Sequence, residues 1–215
     1  MEYPSESEAK ALICEYGKRI YAKGMAAGNE GNISCRTGEN EIWITPTMES
    51  KGYLTPDMLV KLDLDGNVLS TPYLPSSEAK MHVGLYNENP FARAVVHAHP
   101  PFATAFACGG KNIPATLLPE SILLFGKELV VTPYAMPGTN EVPDSIRPYA
   151  NNRQALLLGN HGALTWAATL KEALFCMEML EQYCKIYMLS ENILGGGNHL
   201  DYRRFGSFFT NPSHS

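Results

Sequence analysis

The segment Ala94-Val95-Val96-His97-Ala98-His99-Pro100-Pro101 decides how this chain is read. Ala94 to His99 is a compact apolar strand, and the two prolines stop it. On a strand, residues i and i+2 project to one face, so the imidazoles of His97 and His99 point together. Two nitrogens held this way suit a tetrahedral or five-coordinate divalent metal. A His-x-His pair alone is weak, because polar residues also collect at strand ends. The prolines favour the metal reading, since they put both imidazoles at the sheet edge, near loops where sites gather.

Working outward, a third ligand stands in Gly159-Asn160-His161-Gly162, between the strand-like segments Gln154–Leu158 and Ala163–Ala167. Flanking glycines let such a loop turn tightly and bring an imidazole inward. On the other side, Pro75-Ser76-Ser77-Glu78 opens a helix running to about Asn87. Ser76 and Ser77 offer hydroxyls and free N–H groups, an anion site at a helix start. The plainer alternative is Ser77 as N-cap with Glu78 complementing the helix dipole. His82, one turn beyond Glu78, reads as a half-buried helix histidine, with a hydrogen bond to Glu78 as the alternative. Two further loops, Gly28–Ser34 and Thr45-Pro46-Thr47, can cradle a phosphate with hydroxyls, an amide and backbone N–H groups.

The remaining periodicities alternate between helix and hairpin. Ser5-x-x-Glu8 is a capping box for a helix over Ser7–Lys23, and Thr169-x-x-Glu172 caps the longest one, about 170–193. Ala173, Met177, Leu180, Cys184 and Tyr187 mark the buried side of that helix. Glu41–Thr45 is a strand. Thr55-Pro56 starts a helix. Asp65-Gly66 joins Val60–Leu64 to Val68–Ser70 as a hairpin. Leu129–Thr132 is one strand and Asn140–Tyr149 a helix. Hairpins mixed with helices predict an α/β fold with a largely antiparallel sheet and helices on its faces.

The 215 residues are expected to form a single domain, 1–215. The tail from about residue 198, rich in aromatics (Tyr202, Phe205, Phe208, Phe209), is expected to dock on a neighbouring subunit. Lys and Arg total 17 against 22 Asp and Glu, a net charge of −5, so the chain lacks the basic stripe of a nucleic-acid binder. An anionic substrate must be held by a local site rather than by the overall field. No run reaches the length of a membrane span, and the N-terminus carries no basic or apolar targeting region. Five scattered cysteines without a CxxC read as reduced thiols, which points to the cytoplasm.

Taken in order, Gly31-Asn32-Ile33-Ser34, Thr45-Pro46-Thr47, Ser76-Ser77-Glu78, His97-Ala98-His99 and Asn160-His161-Gly162 resemble the class II aldolase/adducin family over roughly residues 7–195, and within it the L-fuculose-1-phosphate aldolases. The resemblance implies a three-layer α/β/α fold with a central, mainly antiparallel nine-stranded sheet. It implies a homotetramer with active sites at its interfaces. One Zn2+ per subunit is implied on His97, His99 and His161, with Glu78 as a further ligand at rest and as the catalytic acid or base. The phosphate of a sugar phosphate would lie among Gly31, Asn32, Thr47, Ser76 and Ser77. The implied reaction cleaves a ketose 1-phosphate to dihydroxyacetone phosphate and an aldehyde. Alternatives in the same family are epimerisation, dehydration or decarboxylation of a related phosphate. A non-catalytic adducin-like binding module fits less well, because all four metal-site residues are present.

Two departures bear on specificity. Met48 stands where the fuculose enzyme has glycine after Thr-Pro-Thr. Leu118 stands where that enzyme has a tyrosine handling the C4 hydroxyl proton, with Glu120 or Tyr202 as candidate replacements.

Overall fold

Ser5 and Glu8 close the capping box that starts α1 (Glu6–Ala22): the Glu8 N–H donates to Ser5 Oγ at 3.3 Å and the Ser5 N–H to Glu8 Oε2 at 2.9 Å. Such a cap contributes about 1 kcal/mol. The computed structural model describes residues 2–70, 72–206 and 208. After α1 come two antiparallel pairs, β1 (Asn32–Gly38) with β2 (Glu41–Ile44), and β3 (Val60–Leu62) with β4 (Val68–Ser70). Helix α2 (Ala79–Glu88) leads into β5 (Ala94–Ala98) and α3 (Pro101–Gly109). Next are β6 (Ile113–Pro114), α4 (Pro119–Phe125), β7 (Glu128–Leu129), β8 (Val131–Thr132) and α5 (Glu141–Ile146). The chain closes with the hairpin β9 (Ala155–Leu158) and β10 (Gly162–Ala167), then α6 (Leu170–Tyr187).

The main sheet runs β4-β3-β2-β1-β5-β10-β9-β8, antiparallel throughout except for the parallel pair β8–β9. It has eight strands, where the resemblance implied nine; β6 and β7 form a separate two-stranded ribbon. The expected single strand Leu129–Thr132 is divided between the two. Leu129 pairs with Ile113, while the Val130 carbonyl accepts from the Leu157 N–H and turns the next two residues onto β9.

Alternation along the strands builds two cores, one on each face. Ile33, Cys35, Ala94, Val96, Ala98, Leu157 and Ala163 meet α1, α3 and α6. Ile42, Ile44, Val60, Val95, Leu156, Leu164 and Trp166 meet α2 and α5. Each fully buried branched aliphatic side chain contributes about 1.5–3 kcal/mol. The result is the expected three-layer α/β/α arrangement. Polar residues on the α2 side of β1 and β5 (Asn32, Ser34 and His97) are therefore buried with that second core.

Three local expectations change. Thr55-Pro56 starts only a three-residue turn, Pro56–Met58, because Thr55 makes no side-chain cap. Pro100-Pro101 ends β5 but also begins α3; a proline at the first helical position lacks only an N–H that has no helical partner. Glu181 of α6 then accepts the Phe102 and Ala103 N–H groups at 3.1 and 2.9 Å. The helix expected to reach 193 ends as α6 at Tyr187 and continues as a π turn, Met188–Ile193.

The start of the tail is tied within the chain at His199 and Leu200. The Leu200 N–H donates to the Thr116 carbonyl at 2.8 Å, and Thr116 Oγ1 lies 2.6 Å from His199 Nδ1. Phe209 of the aromatic tail lies outside the described residues. Among the described residues no helix is long and apolar enough to cross a membrane.

Candidate metal centre and anion pocket

Strand β5 and the β9–β10 turn bring the three histidines together. In the β5–β10 register His97 faces Leu164, and the His97 ring donates from Nδ1 to the Ala163 carbonyl at 2.9 Å. A carbonyl only accepts, so Nδ1 carries a proton and Nε2 is the nitrogen that faces the cluster. His161 follows Asn160, which adopts the left-handed φ of 54° that swings the turn around. Gly162 is required for close approach: a Cβ there would stand 2.6 Å from both the Ala98 carbonyl oxygen and His99 Cδ2. The ligand atoms of His97, His99 and His161 all lie within 4.8 Å of one another. His97 Nε2 and His99 Nε2 are 3.1 Å apart.

Glu78 completes the cluster. Its Oε2 lies 3.3 Å from His97 Nε2 and its Oε1 3.2 Å from His161 Nε2. Oε2 accepts from Asn32 Nδ2 at 2.9 Å, whereas the buried Oε1 has no hydrogen-bond partner. Burial pushes the Glu78 carboxyl up, but His97, His161 and the Asn32 amide outweigh it and hold the group well below the usual carboxylate range. Burial, then the neighbouring His97, pushes His99 and His161 down to about 4. Imidazoles pushed toward the neutral form at His99 and His161, a carboxyl held toward its ionised form and a carboxylate oxygen without a hydrogen bond suit a divalent cation. Three nitrogens with one oxygen form a donor set suited to zinc. The residues present fit such an ion.

Beside this cluster lies a cavity of about 180 Å3. Every residue assigned to phosphate from the sequence lines it: Gly31, Asn32, Thr47, Ser76 and Ser77, together with Glu78. The Ser76 N–H donates to the Thr45 carbonyl and the Thr47 N–H to Leu74, which ties the loops to each other. Ser76 Oγ accepts from Asn32 Nδ2 at 3.1 Å and from the Glu78 N–H at 3.3 Å, and a hydroxyl that accepts twice still has its own hydrogen to donate. Both amide hydrogens of Asn32 are thereby committed, one to Ser76 and one to Glu78. The helix begins one residue later than the plain capping reading expects, with Glu78 itself at the cap position and no side-chain cap. Gly31 (φ 78°) also passes close to the metal strand, since a Cβ there would lie 2.8 Å from the His97 carbonyl.

A family model described as Class II Aldolase and Adducin N-terminal domain matches residues 11–188. This chain belongs to the class II aldolase/adducin family. Among curated family members, a 3-oxo-tetronate 4-phosphate decarboxylase of Haemophilus influenzae is 33% identical over 182 residues, covering 83% of this chain and 86% of that protein. A 5-deoxy-D-ribulose 1-phosphate aldolase of Bacillus thuringiensis is 32% identical over 182 residues, covering 84% of each chain. Among solved structures, an L-fuculose 1-phosphate aldolase superposes with a TM-score of 0.86 at 30% identity, covering 97% of this chain and 99% of that one.

The two departures from the class II aldolase pattern also have positions in the fold. Met48 lines the cavity with a left-handed φ of 63°, so this site keeps the glycine-type backbone while carrying a side chain. Leu118 sits at the cap of α4, Glu120 in its first turn and Tyr202 in the tail, and none of the three lines the cavity. Sequence reasoning missed two buried polar groups. Lys51 is 1% exposed and donates from Nζ to the carbonyls of Asn29, at 2.8 Å, and Glu49, joining the two loops that flank the cavity. His82 is wholly buried rather than half-buried, and it contacts Asn32 and Ser34 instead of Glu78. The spacing Glu78, His82, Tyr86 on one helix face was the available signal for it.

Proposed function

We propose that this chain is a zinc-dependent lyase that decarboxylates a phosphorylated 3-oxo sugar acid of the 3-oxo-tetronate 4-phosphate type. The observation that carries the choice over aldol cleavage is the 33% identity to a 3-oxo-tetronate 4-phosphate decarboxylase, and Leu118, where the aldolase resemblance implies a tyrosine, agrees with it. Both reactions leave the same enediolate of dihydroxyacetone phosphate. Aldol cleavage also needs a group to take the hydroxyl proton from the departing carbon. A departing carboxylate is already ionised and leaves as CO2, so a leucine there costs the reaction nothing.

His97, His99 and His161, joined at rest by Glu78, would hold the cation. When bound, it supplies Lewis-acid stabilisation of charge developing on the substrate oxygens. The Ser76 hydroxyl, Thr47, Ser77 and the Gly31–Asn32 segment receive the phosphate and fix the substrate remote from the breaking bond. Glu78, ionised at rest, would take up a proton from solvent and pass it to the carbon that loses CO2, a role that needs a carboxyl group within reach of that carbon. The bond electrons pass to the ketone and return to carbon as that proton arrives, so the balance is substrate carboxylate plus one proton to CO2 plus dihydroxyacetone phosphate. The tetramer with interfacial sites belongs to the same reading, and native mass spectrometry of the zinc-loaded protein checks it.

The test is a steady-state comparison of the zinc-loaded protein on 3-oxo-tetronate 4-phosphate generated in situ, L-fuculose 1-phosphate and 5-deoxyribulose 1-phosphate. The expected kcat/KM favours the oxo acid by about 100-fold or more. A preference of that size for either ketose phosphate, with aldehyde release, replaces this reading with the aldolase one, which the 5-deoxyribulose-phosphate relative and the fuculose-aldolase superposition support.

A further inference from the structure

Glu78, His82 and Tyr86 recur every four residues along one face at the start of and within α2, and Asn32 and Ser34 are alternate residues on one face of β1. Where that helix face meets that strand face, their side chains form a single hydrogen-bonded chain. Tyr86 Oη lies 2.7 Å from Ser34 Oγ, Ser34 Oγ 2.6 Å from His82 Nδ1, and His82 Nε2 2.5 Å from Asn32 Oδ1. Asn32 Nδ2 then reaches Glu78 Oε2 at 2.9 Å and Ser76 Oγ at 3.1 Å. Asn32, Ser34, His82 and Tyr86 are all at most 2% exposed.

The direction of every bond in this chain follows from chemistry. The NH2 end of Asn32 lies within hydrogen-bond distance of both Glu78 Oε2 and Ser76 Oγ, and it is the end of the amide that donates. The Asn32 carbonyl oxygen then faces His82 Nε2, which must carry a proton. Burial pushes His82 down to about 3, so its other nitrogen is bare and accepts from the Ser34 hydroxyl. Burial holds the Tyr86 phenol protonated, so it donates in turn to Ser34 Oγ. All the donors point from the core toward Glu78.

We propose that His82 is a positioning residue, whose Nε2–H locks the Asn32 amide in the one orientation that presents its NH2 to Glu78 and to Ser76. With that donor removed, the Asn32 carbonyl oxygen loses its partner, the side chain is free to swing away, and the bond that holds Glu78 Oε2 loosens. The consequence for turnover rests on the reading of Glu78 as the proton-transfer group; the consequence for Asn32 does not.

The test separates the donor from mere bulk. His82→Gln places an N–H close to where Nε2 stood, whereas His82→Asn is too short to reach Asn32. The expected result is that H82Q stays within about fivefold of the wild-type kcat. H82N is expected to fall about 10–100-fold in kcat, the usual cost of losing such a supporting bond, with KM changed less than about threefold. Nitrogen-15 NMR of the wild-type protein should show His82 protonated at Nε2 and not at Nδ1. The Asn32 side-chain amide should give two separate, exchange-protected resonances in the wild type and in H82Q, and lose them in H82N. Equal losses in H82Q and H82N, or a His82 protonated at Nδ1, overturn the proposal. If the wild-type protein turns over none of the three substrates, the function fails, and the two NMR measurements still decide for or against His82.

Discussion

Glu78 Oε1 stands 3.2 Å from His161 Nε2, buried and without a hydrogen bond. A carboxylate oxygen left this way inside a protein is costly unless a cation or a donor meets it. His161→Ala is therefore expected to lower bound zinc from about one to below about 0.1 per chain after dialysis, as plasma emission spectrometry would report. Adding zinc to the wild-type apoprotein at about 100 times its dissociation constant should raise stability by about 2.7 kcal/mol, read as a higher Tm. H161A should show no such rise.

Gly162 sets how near the imidazoles come. Its absent Cβ would meet a backbone oxygen and an imidazole carbon, both at 2.6 Å, and neither belongs to a flexible side-chain end. Gly162→Ala is expected to cost about 1–3 kcal/mol in urea unfolding through overpacking. It should also weaken zinc binding by spreading His97 and His99 apart, whereas Gly24→Ala, with open space around the site, should leave zinc content unchanged.

Met48 holds a φ of 63°, a conformation that costs a side-chain-bearing residue about 1–2 kcal/mol. Met48→Gly relieves that strain while adding chain entropy to the unfolded state, so the expected net gain is about 0.5–1 kcal/mol in urea unfolding. The same change clears a side chain from the rim of the anion pocket, and KM for a phosphorylated substrate should fall.

Lys51 carries the clearest pH signature. Burial pushes its ammonium down to about 8, against the opposing pull of Glu30 and Glu49. Unfolded, the group titrates near about 10.4. Between these values the unfolded chain binds more protons than the folded one, so stability rises with pH. The penalty is fully present below about 8 and disappears as pH climbs toward about 10.5. Its full size is of the order of 3 kcal/mol. Denaturation of Lys51→Met and wild type across that window should show the difference in stability between them shifting toward the wild type as pH rises. A difference that stays constant with pH contradicts the assignment.

Much of the site was legible because its periodicities are short. His97 and His99 share a strand face two residues apart, and His161 sits in a turn whose glycines announce it. Ser76 to Glu78 open a helix that the structure begins at Ala79. The rest depended on contacts between distant elements. Lys51 bonds to main-chain carbonyls, which carry no residue signature. His82 finds its partners only where α2 crosses β1, so its helix position alone suggested an ordinary half-buried histidine. Leu129 and Val131 look like one strand, yet Val130 hands the segment from one sheet to another. Helix α3 was hidden by the same prolines that end β5. The eighth strand, parallel β8, has only two residues, too few for any alternation to show.

The most direct measurement follows 3-oxo-tetronate 4-phosphate labelled with carbon-13 in its carboxylate, incubated in D2O with the zinc-loaded protein. The expected carbon NMR spectrum shows labelled CO2 and bicarbonate growing with dihydroxyacetone phosphate that carries one deuterium on its hydroxymethyl carbon. Glu78→Gln should abolish the deuterated product while retaining phosphate-ligand binding. An unchanged labelled carboxylate, beside a parallel tube in which a ketose 1-phosphate is split to an aldehyde, would contradict the decarboxylase reading outright.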